Sequence, residues 1–160
     1  MFTAINLKKM FISILTVNLV GGISIAIAGT VMSRMFAEIM MPDLALPVIV
    51  IIIAWFVLFS LMGISLYFTQ GSGASKENKV SARNRFWLQM IFLIVWQVLF
   101  FNARIYGFSA IWMLLTIVLI GICIKKFASI GKGASYLLIP YLLFCVYMLY
   151  LNYGIMMLNS

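Results

Sequence analysis

Five apolar runs, residues 10–31, 47–68, 86–102, 106–124 and 134–158, fill most of this 160-residue sequence. A helix needs roughly 20 apolar residues to cross a hydrocarbon core of about 30 Å, so four of the five are long enough outright. The third is shorter, but Arg85 and Arg104 at its ends have stems long enough to snorkel to the headgroups. The pattern predicts an all-α integral membrane protein: a single membrane domain over residues 1–160, built as a five-transmembrane-helix bundle. Composition agrees. Hydrophobic residues make up 66% and mean hydropathy is +1.18, whereas about half apolar is usual for soluble domains.

Charge orients the spans, because Lys and Arg are retained on the cytoplasmic side and acidic residues count for little. Lys8 and Lys9 precede the first run, Lys76, Lys79, Arg83 and Arg85 lie between the second and third, and Lys125, Lys126 and Lys132 lie between the fourth and fifth. The opposite side holds only Arg34 and Arg104. The N-terminus is therefore expected in the cytoplasm and the C-terminus outside, in a bacterial cytoplasmic membrane. The net charge of +8 follows from this topology and from anionic lipid headgroups. No nucleic-acid partner is expected, since no basic run is long or set among exposed aromatics. Lys8-Lys9 and the small-residue site Ala26-Ile27-Ala28 imitate a secretory signal, but the apolar stretch between them exceeds a usual signal core and is expected to remain a span.

The residues missing from the runs limit the chemistry. There is no histidine, and the acids Glu38, Asp43 and Glu77 all fall in loops or at span boundaries. A His-ligated haem or zinc site is excluded, and paired intramembrane carboxylates for acid–base catalysis are lacking. Proton-coupled transporters carry ionisable groups inside the bundle, and these spans have none. Cys123 and Cys145 lie inside spans without a CxxC partner and read as small apolar residues. Gly71-Ser72-Gly73-Ala74-Ser75 reads as a flexible cytoplasmic linker, not a phosphate loop, because no GK[ST] ending follows it.

Ligand recognition inside the membrane would rest on rings, amides and hydroxyls, and helical periodicity shows where these converge. At about 100° per residue, Gln89, Leu93, Trp96, Gln97 and Phe100 share one stripe of the third span. Tyr141, Phe144, Met148, Asn152, Ile155 and Asn159 share one of the fifth, and Trp55, Leu58, Phe59, Met62 and Leu66 one of the second. Such stripes serve either as ordinary helix packing, with amides bonding across helices, or as the lining of a pocket for a flat apolar ligand. On the first span Asn18, Gly21, Gly22, Ile25, Ala26 and Gly29 form a small-residue face suited to close helix packing.

The final run, from Leu137-Leu138-Ile139-Pro140-Tyr141 through Leu151-Asn152 to Leu158-Asn159, resembles the "LLxPYxxW…LNxxIxxLN" segment of the TspO/MBR family, the translocator proteins. Gln89, Trp96 and Phe100-Phe101 are similar to its "LQxxxNxxWxxxFF". Trp55, Leu58, Phe59, Met62 and Gly63 are similar to its "WxxLYxxMG", and Pro42 and Pro47 keep the spacing of the outer prolines in "PSWTPP". The resemblance covers the whole chain in order. It implies a bundle, usually homodimeric, with a pocket near the first loop that accepts porphyrins, sterols or synthetic benzodiazepine-type ligands. By position, the implied ligand-binding residues are Trp55, Phe59, Gln89, Trp96, Phe100, Tyr141, Phe144, Met148 and Asn152. No cofactor is required, a porphyrin or haem being the ligand itself.

Departures from the family pattern bear on activity. Leu44 and Leu46 stand for the tryptophan and the middle proline of "PSWTPP", Phe144 for the tryptophan after "PY", Leu93 for the asparagine of the third span and Phe59 for the tyrosine of the second. Bacterial relatives have been linked to light-dependent porphyrin breakdown that uses the first-loop and fifth-span tryptophans. Leu and Phe lack the oxidisable indole and its N–H donor. A receptor or sensor is therefore expected first, a transporter or facilitator of porphyrin-type ligands second, and porphyrin breakdown last. No basic residue follows Tyr150 or Tyr153 to complete the family's C-terminal sterol pattern, although a reversed version occurs at Lys132, Tyr136 and Leu138.

Overall fold

The computed structural model describes residues 6–159. The side chains of residues 27–30, with Ala28 of the signal-like site and Gly29 of the small-residue face, lie outside that description. Helix α1 runs Leu7–Glu38, α2 Val48–Gly71, α3 Lys76–Gln97, α4 Tyr106–Ala128, α5 Lys132–Tyr136 and α6 Ile139–Leu158. A π-turn, Val98–Asn102, continues α3 without a break. Among the described residues there is no strand, and five helical stretches are long and apolar enough to cross a membrane. This is a five-span all-α membrane fold.

The helices outrun the apolar stretches that announce them, because capping and polar solvation extend a helix where hydropathy has already fallen. Asn6 caps α1, its side-chain oxygen accepting from the Lys9 amide at 3.0 Å. With 32 residues α1 is about 48 Å long at 1.5 Å per residue, more than the hydrocarbon core requires. Ser75 caps α3 by accepting from the Asn78 amide at 3.3 Å, so Lys76 to Arg85 form helical turns and do not belong to a loop. The glycine–serine stretch contracts accordingly: Gly71 ends α2 and Ser75 starts α3. The last span is divided. Leu137 and Leu138 separate α5 from α6, and Pro140 sits in the first turn of α6, where its missing N–H costs nothing.

Helix α1 lies along α2, α3 along α4, and α4 against α6, while α5 wedges between α2 and α4. The α1–α2 contact is close because Gly63 has no side chain: a Cβ there would come within 2.6 Å of the Ile14 Cα. Ser13 Oγ donates to the Gly63 carbonyl at 2.8 Å across that seam, and Asn18 Nδ2 donates to Ser60 Oγ at 3.1 Å. Gly21 of the small-residue face lies directly under the Phe59 ring. Between α3 and α4, Phe92 and Trp112 stack at 4.7 Å and the indole N–H donates to the Phe92 carbonyl at 2.9 Å. Ser65 Oγ donates to the Ala134 carbonyl at 2.6 Å, fastening α5 to α2. In lipid, where water cannot compete for these groups, such cross-helix bonds set register as well as adding stability.

Candidate functional site

The aromatic stripes of α2, α3 and α6 all face the interior. Trp55, Phe59, Gln89, Trp96, Phe100, Tyr141, Met148 and Asn152 are buried, and Phe144 is half-buried. They divide into two groups, distinguished by what their polar atoms do.

The first group is a polar knot. Asn152 Oδ1 accepts from the Trp96 indole N–H at 3.1 Å and from Ser109 Oγ at 2.9 Å, while Asn152 Nδ2 donates to the Tyr106 carbonyl at 2.8 Å. One α6 side chain thus joins α3 to the first turn of α4. Trp96 stacks on Phe100 at 5.2 Å, and Phe100 meets Phe101 and Tyr106 edge-on at 4.8 and 5.7 Å. The π-turn allows this density. By admitting one extra residue it turns both Phe100 and Phe101 inward, and π-turns of this kind recur at functional positions.

The second group is a ring cluster with an amide at its edge. Trp55 stacks on Phe59 at 5.4 Å and meets Phe144 and Tyr141 edge-on at 5.1 and 6.4 Å. The Tyr141 hydroxyl donates to Gln89 Oε1 at 2.6 Å. Gln89 Nε2 is buried and has no partner, and Gln97 Oε1 is in the same position farther along α3. Both amides lie in the interior stripe of α3, each with one hydrogen-bonding atom that has no protein partner.

The first loop closes one end of this region. Pro42 lies against Gly154 of α6, where a Cβ would approach within 3.0 Å. The Leu46 amide donates to the Tyr147 hydroxyl at 2.9 Å, and that hydroxyl donates to the Leu44 carbonyl at 3.0 Å. Asn159, grouped by periodicity with the interior stripe, instead grips the loop at the helix end, accepting from the Met40 amide and donating to its carbonyl, each at 2.9 Å. The Tyr147 ring lies 5.7 Å from Phe144, which links the loop to the ring cluster.

Sequence reasoning missed Ser109, Tyr106 and Tyr147. Ser109 is a small hydroxyl in an otherwise apolar run, which is a usable signal. Tyr106 contributes its backbone carbonyl and Tyr147 binds backbone atoms, so neither shows in side-chain patterning. A broad open concavity of about 710 Å³, lined by Lys76, Glu77, Val80, Ser81, Asn84 and Arg85, lies on the polar first turns of α3. None of these residues belongs to the ring cluster. Among the described residues no group of three His, Cys, Asp or Glu side chains is placed to hold a metal ion.

This arrangement, five spans with α2, α3 and α6 turning their ring stripes inward, coincides with a match to the profile of the TspO/MBR family over residues 13–158. The chain belongs to the TspO/MBR family. It is similar to the "Tryptophan-rich protein TspO" of Chlorobaculum tepidum, at 30% identity over 105 residues. The alignment spans 66% of this chain and 66% of that relative, just under two-thirds of each. Within this TspO/MBR fold the tryptophans Trp55 and Trp96 are interior, one in each group of the site.

Proposed function

We propose that this chain is a membrane receptor or sensor that takes a flat hydrophobic ligand, a porphyrin or other tetrapyrrole before a sterol, between α2, α3 and α6. The observation that carries the reading is the Phe59–Trp55–Phe144–Tyr141 ring cluster, with Gln89 bonded to Tyr141 through Oε1 and its Nε2 unpartnered. Aromatic edges and faces exchange contacts with a flat π-system at little net cost, because each ring contact given up is replaced by one to the ligand. The Asn152 knot has spent its donors and acceptors within the protein, so it supports the site's shape, while Trp55, Phe59, Tyr141 and Phe144 supply its contact surface. The protein functions as a homodimer in the bacterial cytoplasmic membrane with its N-terminus inside, as the family resemblance and the charge pattern imply.

Titration of the purified protein with protoporphyrin, read by quenching of tryptophan fluorescence, tests this reading. Trp55→Leu and Trp96→Ala are expected to weaken binding about tenfold or more, equivalent to about 1.4 kcal/mol, whereas Val98→Ala on the exposed flank of the π-turn should leave it unchanged. Equal affinity of all three variants and the parent chain would reduce the ring cluster to packing. With Leu44 and Phe144 in place of tryptophans, bound porphyrin is expected to keep its absorption spectrum under illumination, apart from bleaching also seen in detergent alone.

A further inference from the structure

We infer that the outward face of the first turns of α3 binds the headgroup of an anionic phospholipid of the phosphatidylglycerol type, with the acyl chains lying along the same helix. The open concavity there is lined by Lys76, Glu77, Val80, Ser81, Asn84 and Arg85. Among the described residues, the side chains of Lys76, Ser81, Asn84 and Arg85 make no hydrogen bond and no ion pair. Two cations, a hydroxyl and an amide are therefore unspent on one face. A phosphodiester accepts from such a donor set, and the hydroxyls of its headgroup pair with the amide.

The helical period shows what continues this face into the membrane. At about 100° per residue, Leu88, Ile91, Val95 and Val98 fall on the side of α3 that bears Ser81 and Asn84, and Leu88, Ile91 and Val98 are exposed. One side of the helix thus passes from an exposed apolar stripe straight into an unspent basic and polar one. That is the profile of a lipid, with tails beside Leu88 and Ile91, phosphate at Arg85 and Asn84, and the rest of the headgroup toward Ser81 and Lys76. Depth agrees. Residues 86–102 are about 26 Å long at 1.5 Å per residue and fill most of a hydrocarbon core of about 30 Å, which puts Arg85 at the boundary where phosphates lie. Charge selects the occupant. Residues 76–85 carry Lys76, Lys79, Arg83 and Arg85 against Glu77 alone, and Glu77 is about 12 Å along the axis from Arg85, too far to neutralise it. A second copy docked through this face would set these cations against their own counterparts, and phosphatidylcholine brings a cation of its own. An anionic headgroup supplies the charge that is lacking.

The test offers the full chain in detergent equal amounts of phosphatidylglycerol and phosphatidylcholine with identical acyl chains, and counts the retained lipid by native mass spectrometry. The parent chain is expected to retain phosphatidylglycerol about tenfold over phosphatidylcholine, and Lys76→Gln combined with Arg85→Gln to bring the ratio close to one. Lys8→Gln combined with Lys132→Gln removes the same charge from the same end of the bundle and should leave the preference as it was. Equal loss in the two double variants would reduce the effect to diffuse attraction by the whole basic end and overturn the site, as would a parent ratio near one. Inorganic phosphate added in excess should not displace the lipid, and displacement would make this a soluble-anion site to which the apolar stripe contributes nothing. Ile91→Cys, oxidised in phosphatidylglycerol vesicles, should stay uncrosslinked, whereas a disulfide-linked dimer would put a second copy on this face and overturn the inference. The parent chain and the Ile91 variant carry the test if a double variant does not fold.

Discussion

At the scale of single residues, Asn152 carries more connections than any stripe assignment conveys. Its side chain accepts twice and donates once, to partners on α3 and α4, with no exposure at all. Asn152→Leu keeps the volume but leaves the buried Trp96 indole N–H without its acceptor, whereas the Ser109 hydroxyl and the Tyr106 carbonyl keep each other at 3.0 Å. Orphaned buried groups cost about 1–3 kcal/mol each in water-soluble proteins, and cross-helix bonds in membranes average nearer 0.6 kcal/mol. The expected loss is therefore about 2 kcal/mol in total, seen as a lower midpoint of thermal unfolding in detergent. Ser109→Ala removes one donor and leaves Asn152 two partners, so it should cost less than half as much. A Ser109→Ala loss equal to that of Asn152→Leu would show that the knot is not centred on Asn152.

At the scale of elements, period alone brought out the buried faces, because a helix in contact with its neighbours repeats its contacts every 3.6 residues. Trp55, Leu58, Phe59, Met62 and Leu66 are all interior, as are Gln89, Leu93, Trp96, Gln97 and Phe100. Helix ends were not legible in the same way. Lys76 to Arg85 are helical because Ser75 caps them and water solvates them, and neither effect raises hydropathy. The break at Leu137 and Leu138 lies inside one unbroken apolar run, and the π-turn at residues 98–102 depends on how Phe100 and Phe101 pack. The hold of the first loop is equally hidden, since Tyr147 and Asn159 bind backbone atoms. Tyr147→Phe should therefore speed hydrogen exchange of the Leu46 amide at least tenfold and leave amides around Trp96 as slow as before. Unchanged exchange at Leu46 would mean that Pro42 and Asn159 hold the loop without Tyr147. The α1–α2 seam makes a second element-scale case: Gly63→Ala puts a methyl group 2.6 Å from the Ile14 Cα. The backbones must part, and a loss of about 1–3 kcal/mol is expected in a denaturant titration, with parent-like stability refuting the close contact.

At the scale of the whole molecule, the charges gather at one end of the bundle. Lys8 and Lys9 begin α1, Lys76 to Arg85 form the first turns of α3, Lys125 and Lys126 end α4, and Lys132 begins α5. That end is tied together by the Asn6 amide donating to the Tyr67 hydroxyl at 2.8 Å and Lys126 Nζ donating to Asn78 Oδ1 at 2.7 Å. The opposite end joins Arg104 to Glu38 at 3.1 Å, with Arg104 held at a positive φ of 55°, and bears the first loop. Positive residues resist translocation, so the basic end should face the cytoplasm and the first loop the outside. Cysteine labelling reads this directly, since the native Cys123 and Cys145 are buried and give a low background. Asp43→Cys in the first loop should react with a membrane-impermeant maleimide on intact spheroplasts. Gly73→Cys, exposed between α2 and α3 with no atom near its would-be Cβ, should react only after permeabilisation. The reverse pattern would invert the molecule in the membrane, and labelling of both sites from outside would mean that the basic cluster does not fix a single orientation.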